Sequence, residues 1–436
     1  MPANTPYLVP YICQPSEAHD ALLLQTFPRR QCVRLTTPIS MLASDCTATL
    51  RIGIMCHDSW GGSARIGAQL AGRLARRGHE VHLFTLNRPR MVTEIELMGV
   101  SQHSVLDEPV NRHPASLYTN WSEFQHEAYL AMVRNVCVSR GLQILHYHYG
   151  IPFARLALSV ADSIGSNVLP VVGTLHGTDV TCALETGPPP GLLEAVCKTN
   201  QLTAVSSHHA ELAVLAFGLD QPPRVVRNFI DVSAFRLLPR AAPGHMTRDK
   251  VRRVVHVSNF RPIKNPLLAA DIFVGLRKHM PAELWMVGDG PMMGAVRQRL
   301  ASTPFSDDVR YFGLTLDVPA ILAQSDLLIV SSQMESFCLV ALEAMASGIP
   351  VLAPRVGGLP ELITDGIDGL LFSPEDPGMA IEAMRAILTD SVRHRALGKA
   401  AIRTAKKYRA DTIIDQYEAV YADALMVASG FLDQVK

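Results

Sequence analysis

From Leu50 onward the chain alternates short apolar runs with glycine-marked turns and amphipathic stretches, and this rhythm leaves few folds open to it. "LRIGIMC" is a strand by length and residue type, "DSWGGSA" is a glycine-rich turn, and "RIGAQLAGRLARRG" has helical spacing up to Gly78. "HEVHLFT" follows as a second strand and completes a βαβ unit. The pattern continues through "QILHYHY", "VLPVVGTLHG" and "LTAVS". Such alternation argues for a parallel sheet covered by helices on both faces, because parallel neighbours need a crossover between them.

A polar stretch containing Pro and Gly, residues 237–250, separates "RVVRNFID" from a second series. That series runs "RRVVHVSNF", "ELWMVGDG", "VRYFG", "DLLIVSS" and "IPVLAPRVGG", with helical segments between. The chain therefore reads as a flexible extension over 1–48, a first Rossmann-like α/β domain over 49–236 and a second over 237–410. A C-terminal helix over 411–436 is expected to pack back on the first domain. Ligands of doubly wound sheets bind beyond the carboxyl ends of the strands. Two such domains facing each other put both sets of loops on one cleft.

Charge and cysteine usage narrow the partners. Forty Lys and Arg balance forty Asp and Glu without a dense basic block, so neither nucleic acid nor an anionic lipid surface is expected as a partner. No apolar run reaches the ~18 residues a membrane span needs. The eight cysteines, at 13, 32, 46, 56, 137, 182, 197 and 338, contain no CxxC pair and read as reduced thiols of a cytoplasmic protein. Residues 1–48 lack the charged head and apolar segment of a signal peptide, and Met41 offers an alternative start. The oligomeric state stays open, a homo-oligomer included.

Several loops carry candidate chemistry. Gly61, Gly62 and Ser63 lie between the first strand and its helix, where backbone N–H groups favour a phosphate; a tight turn without ligand fits the spacing equally. "VSNFRPIKN" brings Arg261 and Lys264 to a strand's carboxyl end, as suits a diphosphate or two solvated charges. "VGDGP" reads as a sharp structural turn. "TLHGTD" sets His176 and Asp179 beside Thr174 and Thr178, a surface cluster or the wall of a polar site. In "HYHYG" the strand period puts His146 and His148 on one face, and without a third ligand core packing is favoured over a metal.

The stretch "ESFCLVALEAMASGIP" poses the sharpest question. Glu335 falls in the loop after "DLLIVSS", and Glu343 some two turns into a helix that stops near Gly348. An unpaired buried charge costs several kcal/mol, so each carboxylate needs water, a cation or a polar ligand such as a sugar hydroxyl.

"ESFCLVALEAMASGIPVLAPRVGGLPELITDGIDGLLF" resembles the nucleotide-sugar site of the family-four retaining glycosyltransferases. "GGS", "TLHGTD", "AVS", "NFID", "SNFRPIK" and "VGDGP" follow in that family's order across most of residues 50 to 425. The resemblance implies the GT-B fold, two Rossmann-like domains facing a cleft. "HYHYGIPFARLA", "TLHGTD" and "SNFRPIK" are most similar to the branch that joins N-acetylglucosamine to L-malate in bacillithiol assembly. It implies transfer with retention from a nucleoside-diphosphate sugar, UDP-N-acetylglucosamine first, to a small polar acceptor, with neither cofactor nor metal.

Roles follow from the same resemblance. Glu343 would hold the ribose hydroxyls, and Glu335 the donor sugar, with the amides of Phe337, Cys338 and Leu339 near sugar and phosphate. Arg261 and Lys264 would neutralise the diphosphate, helped by Gly62 and Ser63. His176 would line the sugar pocket, and Thr174 and Asn228 would lie near the acceptor. Glu335, His176, Arg261 and Lys264 form the implied catalytic set. The absence of a D-x-D segment fits a site using Arg and Lys in place of a divalent metal.

Three positions depart from the pattern. Cys338 stands where the family has glycine, Asn259 where an arginine is expected, and "NWSEFQHEAYLAM" lacks the tyrosine-rich stretch of the malate-using branch. Two alternatives accompany the reading. One is a natural-product S-glycosyltransferase joining a UDP- or GDP-linked sugar to a small thiol, as in lincosamide biosynthesis. The other is a nucleotide-sugar-binding protein without transfer activity.

Overall fold

The computed structural model describes residues 49–89, 92–106, 121–165, 168–236 and 251–429; the N-terminal extension with Met41, and the stretch 237–250, lie outside them. Seven strands form the first sheet: Arg51–Met55 (β1), Glu80–Thr85 (β2), Val100–Ser104 (β3), Ile144–His148 (β4), Val171–Leu175 (β5), Gln201–Ala204 (β6) and Arg224–Val225 (β7). Six form the second: Arg252–Val257 (β8), Ala282–Val287 (β9), Val309–Gly313 (β10), Leu327–Ile329 (β11), Val351–Pro354 (β12) and Leu370–Phe372 (β13).

Every strand pair is parallel. The orders are β3-β2-β1-β4-β5-β6-β7 and β10-β9-β8-β11-β12-β13. Each sheet starts at its centre, winds outward one way, then returns and winds outward the other way. The switch points lie between β1 and β4 and between β8 and β11, where loops diverge and leave a crevice. Two doubly wound α/β sheets are therefore present.

Burial on both faces explains the continuous apolar runs. Ile52, Ile54, Leu145 and Val172 in the first sheet, and Val254, Leu284 and Leu328 in the second, are fully buried. Two strands escape the periodicity. β3 ("VSQHS") is a partly exposed edge that borrows its order from β2, and β13 is only three residues long.

One helix start differs from the sequence reading. The first helix spans Gly62–Arg76 and so begins inside the glycine turn. The helix carrying Glu343 begins at Leu339, as the sequence reads, behind Cys338 in the left-handed conformation with φ 74°. Glu343 therefore sits about one turn in rather than two.

The chain crosses between the sheets at their flank. Val232–Arg236 packs on the helices Leu339–Ser347 and Val318–Ala323 of the second lobe. In return, the helix Ala410–Ala428 packs on Gly62–Arg76 and on β4, β5 and β6 of the first. Its Ile413, Ile414, Tyr417, Val420 and Tyr421 complete the core around Ile54, Ile66 and Ile144. No helix among the described residues is long and apolar enough to cross a membrane.

Candidate active site

A cavity of about 730 Å³ opens between the carboxyl ends of the two sheets. Its second-lobe wall consists of the loops after β8 and β11, which are stitched together. The Gln333 amide donates to the Ile263 carbonyl at 2.9 Å, and Ser331 Oγ donates to the Lys264 carbonyl at 2.9 Å. Across this seam Lys264 Nζ donates to Glu335 Oε1 at 2.7 Å, and Ser332 Oγ donates to the same oxygen at 2.7 Å. The Glu335 side chain is only 7% exposed, so the cation and hydroxyl are what let it stay buried.

Backbone packing sets the height of that loop. A Cβ on Gly357 would collide with the Glu335 carbonyl, and Gly357 itself has φ 55°, a region that favours glycine. The next amide, Gly358, donates to that carbonyl at 2.8 Å. The "VGG" segment after β12 thus presses Glu335 toward the cleft.

Two helices aim their N-termini at the cavity, Gly62–Arg76 from the first lobe and Leu339–Ser347 from the second. Neither has a side-chain cap. Their first-turn amides and dipoles favour an anion between them. Arg261, Lys264 and Arg65 line the same space and add three cations. Arg65 reaches across the cleft to pair with Glu343, whose side chain is 7% exposed. Both carboxylates of "ESFCLVALEAMASGIP" are therefore paired with cations.

Cys338 fills the position between these groups, 6% exposed and lining the cavity. Burial, reinforced by the nearby Glu335 carboxylate, pushes its thiol well above the usual range and keeps it protonated. Asn259, at the position where an arginine was expected, also lines the cavity.

On the first lobe, His176 and Asn228 line the cavity. Asp179 does not; its carboxylate is fully buried and accepts the amides of Gly177 at 2.7 Å and Gly150 at 2.9 Å, fixing the loop that carries His176. Ser336 Oγ donates to the His176 carbonyl and joins the two lobes at this point.

Of the residues singled out in the sequence, Gly62, Ser63, His176, Asn228, Arg261, Lys264, Glu335, Phe337, Cys338, Leu339 and Glu343 all line one cavity. Thr174 does not. It is fully buried on β5, bonded to His146 Nε2 at 2.8 Å and Thr203 Oγ1 at 2.7 Å beneath the C-terminal helix. An acceptor in the cleft cannot reach it. Among the described residues no three His, Cys, Asp or Glu side chains converge as a metal site, and His146 and His148 are buried with their rings tilted against each other.

Sequence reasoning missed Arg65, Trp60, His208 and His209, all in the lining. The histidine pair lies one residue beyond the "AVS" strand end, where a ligand-facing role was legible in principle. Asn228 Oδ1, His208 Nε2 and His209 Nε2 are buried atoms with no partner among the described residues. They are groups that a bound ligand would satisfy.

Comparison with known proteins agrees with this geometry. Residues 60–234 match the profile described as Glycosyltransferase Family 4, and residues 251–390 that of Glycosyl transferases group 1. The chain is 33% identical to the N-acetyl-alpha-D-glucosaminyl L-malate synthase of Bacillus anthracis, over 86% of this chain and 97% of that protein. It is 28% identical to the D-inositol 3-phosphate glycosyltransferase of Segniliparus rotundus, over 81% and 82% respectively. Among solved structures, Anabaena HepE in complex with UDP and glucose superposes with a TM-score of 0.68 at 19% identity, over 85% of this chain and 98% of that one. Sucrose-phosphate synthase from Thermosynechococcus elongatus gives 0.69 at 20% identity, over 86% and 100%. The chain belongs to family four of the glycosyltransferases and has their GT-B fold. Its class of reaction is therefore the transfer of a sugar from a nucleotide sugar.

Proposed function

We propose that this protein transfers a sugar, with retention and without a metal, from a nucleoside-diphosphate sugar to a small polar acceptor, and that UDP-N-acetylglucosamine and L-malate are the pair to try first. The observation that carries the chemistry is the convergence of Arg261 and Lys264 with two uncapped helix N-termini on one cavity. The choice of pair is supported by the 33% identity to the Bacillus anthracis synthase.

In this reading the bond from C1 of the sugar to the diphosphate oxygen breaks, and negative charge grows on the leaving group. Fixed cations and oriented amides stabilise that charge in a site that water has left. The acceptor oxygen bonds to C1 from the same face, and its proton passes to the departing phosphate oxygen. Glu335 holds the donor sugar, Glu343 exchanges Arg65 for ribose hydroxyls, and His176 and Asn228 bound the sugar and acceptor space.

Nucleotide release and product mass from UDP-N-acetylglucosamine with L-malate, in EDTA, test this directly. A product at the mass of glycosylated malate, with the α-anomer retained by NMR, is the expected result. Folded protein that forms no such product removes malate, and turnover restored only by a divalent ion removes the metal-free mechanism. Small thiols and GDP-sugars would then be the next pairs to assay.

A further inference from the structure

His148 ends β4 directly beneath the cleft and is fully buried. Its Nδ1 lies 2.9 Å from Nε2 of His176, the cavity-lining histidine. The ring is clamped on two further sides. His146 lies against it with ring centroids 4.3 Å apart, and a Cβ on Gly67 of the helix Gly62–Arg76 would come within 3.2 Å of its Cγ. His146 is itself fixed by Tyr421 Oη at 2.9 Å and Thr174 Oγ1 at 2.8 Å. Thr174, absent from the cleft wall, thus belongs to the support under it.

Both imidazoles are neutral. Burial, followed by the neighbouring His146, pushes His148 well below the ordinary histidine value, and burial followed by His148 does the same to His176. Between two neutral rings only one can donate. If His148 accepts through Nδ1, its proton sits on Nε2, a buried atom with no partner among the described residues. A buried N–H without an acceptor is the costlier orphan; a bare nitrogen lone pair there is tolerated better.

We propose that His148 is a positioning residue: it donates Nδ1–H to Nε2 of His176 and so fixes His176 as the tautomer that presents Nδ1–H to the cleft. With Nε2 engaged below, Nδ1 is the polar ring atom His176 has left for a ligand. A donor held there matches an oxygen, of the sugar or of the acceptor, and not a ligand hydroxyl seeking an acceptor. The effect on turnover rests on the transferase reading above; the tautomer does not.

The test has two arms. In the first, 15N-histidine-labelled full-length protein without substrate is examined by long-range 1H–15N correlation, with the His176→Gln variant assigning the His176 ring. An Nδ1–H pattern for His176 is expected, retained in His148→Asn and replaced by a tautomer mixture in His148→Phe. In the second, His148→Phe loses about tenfold to a hundredfold in kcat, the usual range for an orienting partner, while KM for the donor moves less than threefold. His148→Asn, whose amide N–H stands near the lost Nδ1–H, recovers most of that loss. An Nε2–H pattern in the wild-type protein, or an unchanged tautomer in a folded His148→Phe, overturns the proposal. Wild-type protein with the expected tautomer and no transferase activity would instead overturn the functional reading and leave this one standing.

Discussion

Lys264 and Glu335 show how a charge is made tolerable in a nearly sealed part of the cleft wall. The carboxylate is nearly sealed off, and its stability depends on one ammonium and one hydroxyl. Replacing Lys264 by Met leaves Glu335 with the hydroxyl alone, which should cost about 1–3 kcal/mol. Removing a cation that faces a developing charge should also lower kcat by roughly a hundredfold. The double variant Lys264→Met/Glu335→Gln separates the two effects, because it removes the orphaned charge without restoring the cation. Its urea midpoint should return toward wild type while its turnover stays low; a double variant as unstable as Lys264→Met would contradict the pairing. Cys338 makes a second residue-scale case, since φ 74° is unfavourable for any side chain. Cys338→Gly should be more stable than Cys338→Ala by about 1 kcal/mol, although alanine buries more surface. The reverse order in thermal unfolding would show that this backbone strain is absent.

Strands β4 and β8 carry histidines where apolar residues would be expected, and their protonation couples the elements to pH. Burial is the main cause in each case: His146 is pushed down to about 3 and His256 to about 4. Unfolded histidine titrates near 6.5. Between those values the unfolded chain binds protons that the folded strands refuse, so stability is full above pH 6.5 and falls as the pH drops. The slope is about 1.4 kcal/mol per pH unit for each proton taken up on unfolding. Urea unfolding at pH 7, 6 and 5 should show a falling midpoint before carboxylates begin to protonate, and His146→Gln should flatten the fall. Equal stability at pH 7 and 5 would mean these histidines are charged in the fold. The same elements show what the sequence could disclose. The buried parallel strands were legible because both faces are apolar, whereas β3 was not, being a polar edge ordered by its neighbour. The cleft loops were legible from their position at strand ends. The Arg65–Glu343 pair was not, because its partners lie 278 residues apart and no local pattern records a contact between lobes. Thr174 was placed near the acceptor by the family resemblance, when the returning C-terminal helix covers it instead.

At the scale of the whole molecule, beyond the apolar packing of the crossover at the flank, polar side chains tie the two lobes together around the cleft. Arg65 pairs with Glu343, and Ser336 Oγ reaches the His176 carbonyl. Glu361, from the second lobe, accepts the amides of Ser207 at 3.0 Å and His208 at 2.8 Å at the start of a first-lobe helix. Arg227 Nη2 adds a third bond at 3.1 Å. Burial raises the Glu361 carboxyl, but the His208 and Ser207 amides and the Arg227 guanidinium outweigh it and hold the group below the usual carboxylate range. This contact therefore stays charged at neutral pH. It joins a second-lobe carboxylate to first-lobe amides and a first-lobe guanidinium, so it bears on how the lobes meet. Glu361→Ala should lose charge-assisted bonds worth about 1–2 kcal/mol at this partly exposed position, which lowers the closed-to-open ratio roughly five- to thirtyfold. If the donor binds only the closed cleft, its KM rises by up to that factor while the thermal midpoint shifts by less than about 3 °C. Small-angle scattering of the unliganded variant should show a larger radius of gyration than wild type, and saturating nucleotide should reduce the difference. A variant with unchanged KM and unchanged scattering would mean that Glu361 caps a helix without holding the lobes together.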